Sequence, residues 1–209
     1  MPQMPISFEP MQSKFTSAVC ELLMTQFRQN FKQCQSLGDE QLIRFFEKQL
    51  EASFLDASAH HMVAVYDDKV VGSLFLTWKT QFDQPKKKYT FVSKEHLALF
   101  GKWDFLKLGL SLHLLEHKPQ LQECYIAHLL VHPDESESGV ETAMLQYAND
   151  FAHNDARFDL LTVHTTGKDE ESIRLYAKYF FKTCLQKSSL TRSVLFGDAR
   201  WNFMTLPLK

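Results

Sequence analysis

Residues 124 to 151 read CYIAHLLVHPDESESGVETAMLQYANDF, a strand, a short turn and a helix in that order. From Cys124 to Val131 the run is apolar apart from His128, as expected of a strand covered on both faces. From Gly139 the period changes. Val140, Ala143, Met144, Tyr147, Ala148 and Phe151 stand at offsets 0, 3, 4, 7, 8 and 11, one side of a helix. Ser136, Glu137, Ser138 and Gly139 therefore sit where the helix's first unpaired backbone N–H groups point outward, and such a helix start holds a phosphate without any cationic side chain.

Size and composition bound the rest. With 209 residues the chain is long enough for one well-buried domain and short for two, so residues 1–209 are read as one domain. Hydrophobic residues make up 44% and charged residues 23%, ordinary for a soluble globular protein. No apolar run approaches the roughly 18 residues that span a bilayer, so no membrane partner is expected. A net charge of −2 argues against a nucleic-acid binder. The basic cluster Lys86 to Lys88 beside Tyr89 reads as a solvated loop. Cys20, Cys34, Cys124 and Cys184 are widely spaced, no C-x-x-C pair exists, and MPQMPISFEP lacks the regions of a signal peptide. Free thiols in the cytoplasm are the expectation. His113 and His117 stand one helical turn apart, but HLLEH lacks the adjacent glutamate of a metalloprotease and no third ligand is evident. No metal is expected.

Working outward, an extended start at Ile6 to Pro10 precedes a helix whose inner face carries Phe15, Val19, Leu22, Leu23, Phe27, Phe31 and Cys34. Gly38 ends it, and Asp39 can cap a second helix with the stripe Leu42, Ile43, Phe46, Leu50 and Phe54. A hairpin follows, His61 to Tyr66 and Val70 to Trp78, turning at Asp67, Asp68 and Lys69. Residues 79–120 read as an insertion, helical from about Glu95 to His117 and ended by Pro119. Beyond the central helix come a strand at Phe158 to Val163, a helix at Asp169 to Tyr179 capped by Asp169, and strands at Leu185 to Phe196 and Arg200 to Leu206.

At this point the residues resemble the GCN5-related N-acetyltransferases (GNAT), which move an acetyl group from acetyl-CoA to an amine. The family's core, V-x-P-x-x-[QR]-x-x-G-x-[GA]-x-x-L/M-L, is answered in register by Val131, Pro133, Gly139, Met144 and Leu145. A second signature, roughly N-x-x-A-x-x-L-Y-x-K-x-G-F, is answered by Asp169, Ser172, Leu175, Tyr176, Lys178 and Phe181. The order of elements extends the likeness to nearly the whole chain. The departures fall on the binding loop, where Ser136 replaces Arg or Gln and Glu141 replaces the second Gly or Ala, with Glu137 and Glu135 close by.

The resemblance implies an α/β fold of the GNAT acyl-CoA N-acyltransferase type, a mixed, largely antiparallel sheet flanked by helices, with residues 79–120 inserted before the fourth strand. It implies acetyl-CoA as cosubstrate and a primary amine of a small molecule or peptide as acceptor. The pantetheine arm would run along the backbone of Leu129, Leu130 and Val131. Ser136, Glu137, Ser138, Gly139, Val140, Glu141 and Thr142 would surround the pyrophosphate, with Asp169, Ser172 and Lys178 on the neighbouring helix. Tyr176 stands where the family protonates the departing thiolate; a core tyrosine with a polar tip is the competing reading. The base is harder to place, since Ala127 occupies the position where several members carry a carboxylate. His128 is adjacent and titrates near neutrality, but strand alternation aims it away from Ala127, and a hydrogen-bonded core histidine competes. Glu95 and His96 in the insertion stay open as a base, and the insertion itself reads either as a helical flap that covers a sheet edge or as a lid whose Leu106, Leu110 and Leu114 favour an acceptor with an apolar body, with Trp103 and Phe105 on the acceptor side. The resemblance leaves a homodimer open, and also a catalytically silent GNAT-like module that binds a ligand or a protein.

Overall fold

The computed structural model of the chain describes residues 6–30, 38–54, 56–80, 117–135, 138–188 and 200–209. Strand β1 (Ser7–Pro10) leads into helices α1 (Thr16–Asn30) and α2 (Asp39–Ser53) and then the hairpin β2 (Ala59–Tyr66) and β3 (Lys69–Trp78). After them come β4 (Glu123–Val131), α3 (Val140–His153), β5 (Leu160–Thr166), α4 (Glu170–Lys178), β6 (Lys182–Ser188) and β7 (Arg200–Pro207). The seven strands form one sheet in the order β1-β2-β3-β4-β5-β7-β6. Only β4 and β5 pair in parallel, because α3 carries the chain back across the sheet between them. This is the mixed, largely antiparallel α/β architecture the sequence implied.

Local chemistry explains the boundaries. Asp67 (φ 49°) and Asp68 (φ 60°) both adopt the left-handed conformation that a two-residue hairpin turn requires, so Lys69 belongs to β3 rather than to the turn. Gly38, not Asp39, is the cap residue of α2; its N–H donates to Gln41 Oε1 at 3.2 Å, and Asp39 opens the first helical turn. Asp169 does cap α4, accepting the Ser172 N–H at 3.0 Å. The strand expected from Phe158 begins at Leu160, and Phe158 is instead a core side chain. The helix expected between residues 95 and 117 and the strand residues expected beyond Ser188 fall outside the described residues, apart from His117 itself.

Two hydrophobic clusters lie on opposite faces of the sheet. One joins Leu74, Leu76, Cys124, Ile126, Leu161 and Val163 to Met144, Leu145 and Ala148 of α3 and Tyr176 of α4. The other joins Val63 and Val65 of β2 to Val19 and Phe27 of α1 and Leu42 and Phe46 of α2. A Cβ placed on Gly72 of β3 would stand 2.5 Å from Met144 Sδ and 2.9 Å from the Leu130 carbonyl, so the missing side chain lets α3 settle against the sheet.

Candidate active site

Two irregularities of β4 build the site. Phe75 of β3 pairs with His128 and Leu76 with Ile126, which leaves Ala127 as the extra residue of a β-bulge. Pairing of β4 with β5 stops at Ile126 and Val163, although β4 runs on to Val131 and β5 to Thr166. The two strands therefore part like a V. From Ala127 onward the backbone edge of β4 that faces β5 has no strand partner among the described residues, and Leu129, Leu130 and Val131 lie along that edge.

The bulge also corrects an expectation. Strict alternation would put His128 on the face of Cys124 and Ile126, but past the bulge it is Leu129 and Val131 that join their cluster. His128 turns to the α1/α2 face, where its Nε2 lies 3.1 Å from Ser73 Oγ, and Ser73 Oγ lies 2.8 Å from His61 Nε2. Phe75 stacks on the His128 ring at 5.5 Å. Burial, reinforced by His60, pushes His61 down to about 4, and burial with His61 beside it holds His128 well below the usual histidine range. Both rings are neutral at pH 7.

The start of α3 forms the second wall. Gly139 takes the left-handed conformation (φ 84°, ψ 6°), with no side-chain cap and, its chain neighbours aside, no atom of the described residues within 4 Å of where a Cβ would stand. The first intrahelical bond runs from Ala143 N–H to Gly139 O, so the N–H groups of Val140, Glu141 and Thr142 precede the helical ladder. Val140 contributes backbone only, because its side chain is in the core. The Thr142 carbonyl lies 3.5 Å from Tyr179 OH. Ser138 Oγ donates to the Glu135 carbonyl at 2.6 Å. Ser136 and Glu137 fall outside the described residues.

The N-terminus of α4 lies close enough to α3 for their charges to interact. Glu141 is half-buried, and burial followed by Asp169 and Glu171 raises its carboxyl above the usual range. Burial, then Glu141, Asp169 and Tyr125, pushes the Tyr176 phenol well above its ordinary value, so it stays protonated at neutral pH. Its ring is buried edge-on against Phe181 at 5.3 Å. Ser172 is partly buried on the same turn as Asp169, while Lys178 is exposed at the far end of α4.

Along the paired stretch of β4 and β5 below the apex of the V, a second polar group lies on the α1/α2 face, and no motif announced it. Glu123 is buried and its carboxylate takes three hydrogen bonds: His117 Nε2 at 2.7 Å, Thr162 Oγ1 at 2.6 Å and the Gln120 N–H at 2.6 Å. Burial alone would raise this carboxyl; those donors outweigh it and hold it below the usual range. No group of three or more His, Cys, Asp or Glu residues capable of holding a metal occurs among the described residues.

The comparisons agree with this geometry. The family model described as "Acetyltransferase (GNAT) family" matches residues 17–180, and the chain belongs to that family. A GNAT-family acetyltransferase structure from Desulfovibrio desulfuricans superposes with a TM-score of 0.62 at 12% identity, covering 98% of this chain and 99% of that one. YncA of Salmonella typhimurium, an acetyltransferase structure containing its cofactor acetyl-CoA, gives 0.61 at 14% identity over 98% and 94% of the two chains. A variant of spermidine N-acetyltransferase SpeG from Vibrio cholerae gives 0.62 at 9% identity over 97% and 94%. At these identities the structural likeness speaks for the fold. No curated protein matches the sequence.

Proposed function

We propose that the chain is an acetyl-CoA-dependent N-acetyltransferase that acetylates a primary amine of a small molecule or peptide. The observation that carries this reading is the parting of β4 from β5 after Ile126 and Val163, which leaves a hydrogen-bonding strand edge that no other described strand pairs with. The amide groups of a pantetheine arm fit such an edge at Leu129, Leu130 and Val131. The pyrophosphate fits the N–H groups at the start of α3, where the open space around Gly139 admits it and Ser138 and Thr142 flank it. Asp169 and Ser172 border the same entrance from α4.

In the reaction the neutral amine nitrogen attacks the thioester carbonyl carbon, the carbon–sulfur bond breaks, and the sulfur leaves with the electron pair. Free N–H groups of the β4 edge stabilise the oxygen charge that develops on the way. Tyr176, protonated because its phenol is buried, supplies the thiolate with a proton and regains one from solvent. His128 lies uncharged on the α1/α2 face, its Nε2 3.1 Å from Ser73 Oγ. Spermidine, the amine in the name of the Vibrio cholerae neighbour, and a short peptide with a free amino end are the first acceptors to test.

A second reading, a silent module that has given up CoA, is favoured by one observation: Glu141, Asp169 and Glu171 place negative charge at the mouth where a diphosphate would enter. Titration calorimetry with acetyl-CoA, followed by thiol release in the presence of each amine, separates the two. Heat of binding and acceptor-dependent thiol release are expected. Absence of any binding overturns the enzymatic reading.

A further inference from the structure

We infer that His117, held by the buried carboxylate of Glu123, is the general base that takes the proton from the acceptor amine. This inference rests on the acetyltransferase reading and adds the group which that reading lacks. Glu123 is the sole buried carboxylate among the described residues, alongside the buried polar side chains of Ser58, Ser73, Thr162, Thr165 and Asn202. Burying a carboxylate is costly unless its hydrogen bonds are complete, and here three donors from two segments of the chain converge on it. A carboxylate fixed in this way orients an imidazole and stabilises the imidazolium that forms when the ring takes a proton. Glu123 occupies Nε2 of His117, which leaves Nδ1 as the nitrogen that can act.

The place is right for the chemistry. The His117 ring lies 4.4 Å from Tyr125 and 4.9 Å from His164. Tyr125 immediately precedes Ile126, and His164 immediately follows Val163, the last residues that pair before β4 and β5 part. The Thr162 bond to Glu123 puts this cluster on the face of Ser73 and His128, opposite α3, so an acceptor can reach the thioester from this side while CoA enters past α3. The His117 side chain keeps 20% of its surface accessible, against 5% for Glu123. Among the described residues, the groups that face the imidazole are Glu123, Tyr125, His164 and the uncharged ring of Phe203 at 5.4 Å. His128 is the weaker candidate for the same task, since burial disfavours its charged form and its partner Ser73 cannot compensate an imidazolium as a carboxylate does.

In the step, the ammonium N–H bond breaks, its proton passes to Nδ1 of His117, and the electron pair left on nitrogen attacks the acetyl carbon. The imidazolium then loses its proton to solvent, and Glu123 stays ionised throughout as a positioning residue.

The alternative is a clasp that merely pins residue 117 to β4, and the two roles differ in what they move. The experiment measures kcat/KM against pH for wild type and His117→Gln with spermidine and the peptide amine, together with acetyl-CoA affinity by calorimetry. The expected result is a roughly hundredfold loss of kcat/KM at pH 7, unchanged acetyl-CoA affinity, and recovery at high pH, where the amine is already neutral in solution. A loss equal at every pH, or no loss, overturns the inference. A wild type that binds acetyl-CoA but acetylates neither amine, or that fails to bind it, counts instead against the acetyltransferase reading. Nitrogen-15 spectra of the wild-type imidazole need no variant to fold: His117 protonated at Nε2 with a bare Nδ1 is expected, and the opposite tautomer overturns the inference on its own.

Discussion

Single side chains decide how well the site works. Tyr176 stands out in the sequence by its place in the second signature, and its burial supplies the reason it stays protonated. Tyr176→Phe is expected to slow single-turnover acetylation by roughly ten- to a thousandfold while leaving acetyl-CoA affinity unchanged; a mutant as fast as the parent removes the hydroxyl from the mechanism. On the proposed reading, Glu141 is the residue that weakens the phosphate site. A unit charge about 6 Å from another costs roughly 0.7 to 3 kcal/mol at dielectrics of about 80 to 20, against about 0.3 to 1 kcal/mol that an exposed helix start returns to an anion. Glu141→Gln should therefore tighten CoA binding at pH 7, and the gain should shrink as the pH falls and the raised carboxyl of the parent takes up its proton. Equal affinity at pH 7 in titration calorimetry would show this carboxylate facing away from the ligand.

At the scale of elements, the close contact between α3 and β3 constrains the wall proposed to hold the phosphate. An alanine methyl at position 72 meets the Leu130 carbonyl as well as the mobile end of Met144, and backbone cannot step aside as a side-chain terminus can. Gly72→Ala is expected to cost about 1 to 3 kcal/mol, seen as a fall in melting temperature by circular dichroism, and to weaken CoA binding because α3 shifts. A melting temperature equal to the parent's would show that Met144 absorbs the strain. Gly139 is the opposite case: there a methyl finds open space and the conformation alone objects, φ being 84°.

For the whole molecule, the buried histidines tie stability to pH. The folded forms of His61 and His128 hold their protons less tightly than the unfolded chain does. Between the two values the unfolded state binds more protons, so stability rises with pH. The contribution is complete above the unfolded value of about 6.5 and drains away as the pH drops towards about 4 at His61. Thermal melts from pH 7 to pH 4 should fall steadily in the parent and more gently in His61→Gln. Parallel curves for the two proteins would mean that His61 carries no such linkage.

The sequence by itself determined the strand, turn and helix of residues 124 to 151, the order of the elements around them and the family they resemble, because periodicity, the Gly139 turn and the capping Asp169 are local properties of a chain. It could also single out Tyr176 and Glu141, which sit within short motifs. The β-bulge at Ala127 belonged to the tertiary structure, since one inserted residue in a strand pair leaves no mark on an apolar run, and with it went the direction of His128. The links from His61 through Ser73 to His128, and from His117 to Glu123 and Thr162, join residues 12 to 55 and 6 to 39 positions apart. Only strand pairing brings such residues within hydrogen-bond reach, and pairing register is set by the packing of the whole sheet rather than by any neighbour along the chain.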